Sequence, residues 1–211
     1  MVTLEHKPLV LMGGTFNPVH YGHLRVAIEL AEAFAFTQVN LMPCAEPVHR
    51  IKSTVSASHR MTMLKLAIEN EHRLVADSRE LDRKGSSYTI DTLTEIKEKE
   101  QKPLFFAMGV DAFNQIETWK NWQNLLNVSN IIIISRPGYS VKLSSFFKPY
   151  VQNRLDQVKP FGQLILFEAT ALGIASSQIR QLLLSQKSIE YLLPRTVIDY
   201  IHCHKLYLSK L

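Results

Sequence analysis

The chain has 211 residues, 46% of them hydrophobic and 20% charged, which is enough for one sizeable core and favours a single globular domain over 1–211. Lys and Arg number 24 against 19 Asp and Glu, a net charge of +5, but the positive residues are scattered with no run of five or more. That balance suits small phosphorylated ligands as well as it suits nucleic acid. Cys44 and Cys203 set no disulfide framework, no stretch approaches the length of a transmembrane helix, and the first residues show no apolar core behind a basic leader. The expectation is a cytoplasmic protein.

In chain order, residues 9–12 are an apolar run of strand length, and residues 24–35 repeat Leu24, Ala27, Ile28, Ala31 and Phe34 at helical spacing. Between them, Met12-Gly-Gly-Thr-Phe-Asn-Pro-Val-His-Tyr-Gly-His23 forms a strand-to-helix turn, the place where an open α/β sheet receives a ligand. Gly13, Gly14 and Gly22 are expected to let backbone come close to a bound group. A helix starting near Gly22 would direct unpaired N–H groups and its positive dipole end at a phosphate. His20 and His23, three apart, add two imidazole donors from one side. Cys44 and His49 form no recognised zinc spacing with these histidines, and the dinucleotide and P-loop glycine patterns are absent.

Residues 39–43 read as a second strand stopped by proline, and 44–56 as a basic loop that is either simply solvated, the commoner fate, or brings His49 and Arg50 to a second phosphate. An amphipathic helix follows over 58–69 through Met61, Leu64 and Ile68, capped by Ser58. Residues 74–81 read as a strand or a strand with a bend, and 82–87 as a turn. Ser87 or Thr89 caps a helix running to about Lys99. The strand at 104–108 ends in Gly109-Val-Asp111, which either caps a helix over 112–116 or places a carboxylate to accept both hydroxyls of a ribose. Trp119 and Trp122 share a helix face. Residues 130–134 carry four isoleucines without alternation, as a central parallel strand does, and Arg136 lies in the turn after it. A helix is expected over 146–158 and the last strand over 164–167. Residues 174–180 open a helix to about Gln186, with Ser176 or Ser177 at its start and Arg180 one turn in, which is either plain capping beside an exposed arginine or a second anion site. A short helix over 192–201 has proline in its first turn, and His202 to His204 is taken as surface. Strands alternating with helices predict a Rossmann-like parallel sheet with helices on both faces.

As a whole, 13–23 resembles the first signature of the nucleotidylyltransferase superfamily, G-G-T/S-F-D/N-P-x-H-x-G-H, in its HxGH branch. Residues 174–180 resemble the second, I-S-S/T-S/T-x-I-R, with Ala175 in place of one serine. Nearly the whole chain is similar to the bacterial nicotinate-nucleotide adenylyltransferases. Residues 47–50 resemble their P-P-H-K/R element, with Val48 for the second proline and Cys44 where asparagine is frequent, and Ser87 to Leu93 resembles S-Y-T-x-x-T-L.

The resemblance implies His20, His23 and Arg180 as catalytic residues. It implies an ATP site of Gly13, Gly14, Thr15 and Phe16, with Gly109 and Asp111 on the ribose side and Ile174, Ser176 and Ser177 from the second signature. The pyridine nucleotide would lie among His49, Arg50, Ser87, Tyr88, Thr89, Thr92, Trp119 and Arg136. It further implies transfer of AMP from ATP to nicotinate mononucleotide to give deamido-NAD and pyrophosphate, and ATP chemistry, rather than any ligand evident in the chain, implies Mg2+ on the triphosphate. Neither nucleic acid nor membrane is expected as a partner. The alternatives are nicotinamide mononucleotide or pantetheine phosphate as acceptor or, from another class, a basic nucleic-acid-binding module. The chemistry is consistent with the inventory: an anionic phosphate monoester attacks without a general base, so positioning and charge suffice.

Overall fold

The computed structural model describes residues 7–44, 55–83, 88–135, 138, 140–152, 155, 157–170 and 172–208. Its strands are β1 (Leu9–Gly14), β2 (Val39–Pro43), β3 (Leu74–Ala76), β4 (Leu104–Gly109), β5 (Asn130–Ser135), β6 (Val151–Gln152) and β7 (Leu164–Glu168). The helices are α1 (Tyr21–Ala33), α2 (Ala57–Ile68), α3 (Arg79–Asp82), α4 (Thr89–Glu100), α5 (Val110–Phe113), α6 (Leu125–Val128), α7 (Ser176–Leu184) and α8 (Arg195–Cys203). The strands form one seven-stranded sheet in the order β3-β2-β1-β4-β5-β7-β6, and every pairing in it is parallel. The Rossmann-like α/β expectation therefore holds.

The central strands are apolar on both sides because each face is covered. Val10, Met12, Leu41, Phe105, Ala107, Ile132 and Ile134 point to one cluster, with α1, α2, α7 and α8 packed on it. The alternate residues Leu11, Met42, Phe106, Met108, Ile131 and Ile133 point to the other, beneath α4, α5 and α6. Strand order reverses at β1, which lies between β2 and β4, so a crevice opens at the carboxyl ends of β1 and β4. Met12 is in register with Ala107, which brings Gly14 and Gly109 to the top of adjacent strands.

Four local expectations need correction. Strand β3 stops at Ala76, because Asp77 accepts both the backbone N–H and Nε of Arg79 and turns the chain into α3. Trp119 and Trp122 share no helix: α5 ends at Phe113, and Asn121 at φ 48° separates two short 3₁₀ turns, Ile116–Thr118 and Trp122–Asn124. Instead of a helix at 146–158, Pro149 sits in a 3₁₀ turn, Lys148–Tyr150, followed directly by edge strand β6. The cap of α2 is Ser56, whose hydroxyl accepts the His59 N–H at 3.3 Å, two residues before the expected Ser58.

Candidate active site

The first signature occupies the turn from β1 into α1. The glycines act differently from the expectation. A Cβ on Gly13 would lie 2.8 Å from the Phe106 ring, and one on Gly14 would lie 2.9 Å from the Phe16 ring. A side chain at either position would have to displace one of the protein's own aromatic rings. Gly22 likewise makes room for the imidazole of His20, whose Nδ1 would be 3.0 Å from a Cβ there. Gly109, at the top of β4, has nothing within 4 Å of its missing side chain, and so it is the glycine of the site that faces open space.

His20 is buried and stacks on His23 with ring centroids 3.7 Å apart and planes 24° from parallel. Phe16 is also buried, at φ 47°, with its ring edge-on to His23 at 5.0 Å. Phe16 is thus a wall behind the histidines. The start of α1 is less open than expected, because the Tyr21 N–H donates to the Leu192 carbonyl at 3.1 Å.

The second signature reaches the first although 158 residues separate Ser176 from Pro18. The Ser176 hydroxyl donates to the Pro18 carbonyl at 2.9 Å, and Arg180 Nη1 donates to the Asn17 carbonyl at 2.7 Å. Ser176 is therefore spent on the loop, and the N-cap position of α7 is Ala175, with no side-chain cap. Ser177 stays exposed in the first turn, where helix amides have no partner further down the chain. Ile174 lies against the start of α1, its carbonyl 3.6 Å from where a Cβ on Gly22 would be.

The segment that leads into this signature is tied to α1 by Glu29, which accepts the Thr170 N–H at 2.7 Å and Arg25 Nε at 2.7 Å. Partial burial pushes the Glu29 carboxyl up, but the bonds from Thr170 and Arg25 outweigh it and hold its pKa below the usual 4.5. A depressed carboxylate stabilises the fold above its unfolded pKa and loses that contribution as pH falls through the folded value. Glu29→Gln is expected to cost about 1 kcal/mol in urea unfolding at pH 7, and the gap to the parent should close in acid. A gap that stays constant with pH would count against the charged role.

Sequence reasoning missed Arg60. It is 1% exposed, and its guanidinium donates to the carbonyls of Thr15 and Cys44 at 2.8 Å each, joining the ends of β1 and β2 behind the site. The signal was present: Arg60, Leu64 and Ile68 lie four apart on the buried face of α2, and a charge in an apolar stripe calls for buried partners.

The remaining expected residues that the structure describes stand on α4, on α5 and at the end of the 3₁₀ turn after it. Asp111 is exposed in the first turn of α5, beyond Gly109. Tyr88 and Trp119 are half-buried over one apolar cluster, and Trp122 joins it against Phe146 and Phe147. Tyr88 is the N-cap of α4, and Thr89 is its first residue. Thr92 is fully buried; its hydroxyl accepts from Arg83 and donates to Glu80, so it supports the helix from within. His49, Arg50, Ser87 and Arg136 lie outside the described residues. Among the described residues no group of three or more His, Cys, Asp or Glu is placed to hold a metal, and no helix is long and apolar enough to cross a membrane. An apolar cavity of about 530 Å³ borders Tyr21, Leu24, Ile174 and Tyr191 along α1; its wall suits no triphosphate.

A switch-point crevice flanked by stacked histidines, an arginine and uncapped helix starts defines a nucleotide-handling α/β protein. Residues 11–182 match the family model described as cytidylyltransferase-like, and the chain belongs to that family. It is 40% identical over 212 residues to the "Probable nicotinate-nucleotide adenylyltransferase" of Hahella chejuensis, covering 96% of this chain and 97% of that one. It is 38% identical over 208 residues to the protein of the same description from Pseudomonas aeruginosa, covering 95% and 97%. In fold it is similar to the solved Plasmodium falciparum nicotinic acid mononucleotide adenylyltransferase complexed with NaAD, with a TM-score of 0.75 at 22% identity, covering 96% of this chain and 98% of that one.

Proposed function

We propose that this chain is a nicotinate-nucleotide adenylyltransferase of NAD biosynthesis, transferring AMP from ATP to nicotinate mononucleotide and releasing pyrophosphate. The observation that carries the reading is the junction of the two signatures, where Arg180 is bonded to the loop that presents the stacked His20 and His23. An oxygen of the acceptor 5′-phosphate attacks the α-phosphorus of ATP, and the bond from that phosphorus to the bridging oxygen of pyrophosphate breaks. The attacking oxygen is already anionic, so no proton need be removed; the chain's work is alignment and stabilisation of the leaving charge. His20, His23, Arg180 and the α7 start take the triphosphate side. Gly109 leaves room for the ribose, and Asp111 accepts its hydroxyls. Tyr88, Thr89 and Trp119 take the pyridine side, joined by Ser87, His49, Arg50 and Arg136.

ATP enters as its Mg2+ complex. Mg2+ bound to the triphosphate would offset part of its charge, and, being held by the phosphates, it would ask little of a chain that presents histidines and arginines here. The substrates are small molecules, and one domain over 1–211 in the cytoplasm accommodates them.

Pyrophosphate release with ATP and a panel of phosphomonoester acceptors tests the reading. Release with nicotinate mononucleotide supports it, and release only with pantetheine phosphate would overturn the acceptor. For the ribose role, Asp111→Asn should weaken ATP binding about tenfold while leaving the unliganded melting temperature unchanged, because one acceptor becomes a donor. An ATP-induced rise in melting temperature as large as the parent's would remove Asp111 from the site.

A further inference from the structure

We propose that Tyr207 is a positioning residue for adenylyl transfer, holding Arg180 in place through Asn17. The inference rests on the assignment of Arg180 to the ATP phosphates. Asn17 serves two partners at once: its backbone carbonyl accepts Arg180 Nη1 at 2.7 Å, and its side-chain Oδ1 accepts the Tyr207 hydroxyl at 2.6 Å. Tyr207 is 6% exposed and Asn17 9%, so water is a poor substitute for either group. Burial pushes the Tyr207 phenol above its usual range, against the pull of the Arg180 and Arg60 charges, and the hydroxyl stays a donor at neutral pH.

The backbone on both sides of this bond is constrained. Tyr207 has φ 64°, and Phe16, next to Asn17, has φ 47°. Both are non-glycine residues in the left-handed region, which surrounding contacts must hold. The loop is fastened at three carbonyls: Thr15 by Arg60, Asn17 by Arg180 and Pro18 by Ser176. Tyr207 adds the hold on the Asn17 side chain, and it comes from beyond α8, where the Leu206 N–H donates to the Ile201 carbonyl at 3.0 Å. Without the hydroxyl, Asn17 Oδ1 loses its 2.6 Å buried donor, and the carbonyl that receives Arg180 loses that support. Displacements of about an ångström at such a site are enough to slow a reaction governed by alignment.

A double-mutant cycle distinguishes positioning from plain packing. Tyr207→Phe should lower kcat about fivefold to tenfold, with KM for ATP and acceptor changed less than about twofold, at a temperature where circular dichroism shows the variant folded. In an Arg180→Ala background the same change should cost less than about twofold. Equal losses in the two backgrounds, or none in the parent, would overturn the proposal. Asn17→Ala, which keeps the backbone carbonyl and removes Oδ1, reads the same bond from its other end and should show the same non-additivity with Arg180→Ala. It decides the matter if Tyr207→Phe does not fold. Parent-like turnover in Arg180→Ala alone would refute the assignment of Arg180. A slow Arg180→Ala beside a harmless Tyr207→Phe would refute the positioning alone.

Discussion

His23→Ala is expected to cut turnover by about 100- to 1000-fold, roughly 3 to 4 kcal/mol of transition-state stabilisation, the loss typical of removing one well-placed donor to developing charge. His23 is held from two sides, by the His20 ring at 3.7 Å and the Phe16 ring at 5.0 Å. A ring so confined needs little reorganisation as charge moves onto the leaving pyrophosphate, and this makes a single donor worth so much. It is half-buried at the start of α1, on a helix whose core contacts come from Ala27, Leu30 and Ala31, so alanine there should leave the fold in place. Steady-state pyrophosphate release gives the rate, and a thermal melt confirms folding. A folded variant with near-parental kcat would place this imidazole away from the transferring phosphate.

The parts of this molecule legible in sequence are those set by local pattern. The isoleucines 131–134 announced a central strand because burial on both faces leaves no polar alternation, and β5 indeed lies between β4 and β7. The two signatures announced strand-to-helix turns for the same reason: apolar runs of different period flank them. Where local cues competed, the chain's own contacts decided. Asp77 drew Arg79 into a turn that an apolar count through Leu81 does not reveal. Asn121 in the left-handed region broke a helix that the tryptophan spacing suggested.

The supports of the site were not legible, because they join distant positions. Tyr207 and Asn17 are 190 residues apart, and no window of sequence relates them. The glycines were half legible. A strand-to-helix turn calls for glycine, but whether the space so made goes to a ligand or to a ring of the protein depends on Phe106 arriving from β4 and on Phe16 folding back over Gly14. Arg60 sits between these cases. Its place in an apolar stripe was visible, and the carbonyls it serves at the ends of β1 and β2 were not.

Nicotinate mononucleotide is expected to be preferred over its amide by at least about 100-fold in kcat/KM, from the way a helix start treats a charged acceptor group. The pyridine carboxylate is an anion that only accepts hydrogen bonds, whereas the amide is neutral and brings two N–H donors. Helix α4 begins at Thr89 with no side-chain cap, and its first closed bonds run from the N–H groups of Asp91 and Thr92 back to the Tyr88 carbonyl. Among the described residues the Thr89 and Ile90 amides before them have no backbone acceptor, and they lie at the positive end of the helix dipole. Asp91 in that first turn opposes an anion, but Lys120 sits 3.0 Å from its carboxylate and 4.5 Å from the centre of the Tyr88 ring, so the local charge is offset. The acid thus gains charge-assisted bonds, while the amide turns its own donors toward donors and leaves groups unpaired. Mispairing of that kind reaches about 10⁴-fold in sites built for one hydrogen-bonding pattern, which makes 100-fold a modest expectation. Both acceptors, measured at the same Mg2+ and ATP concentrations, give the ratio directly. Equal efficiencies would remove the α4 start from the pyridine end of the site and leave adenylyl transfer itself standing.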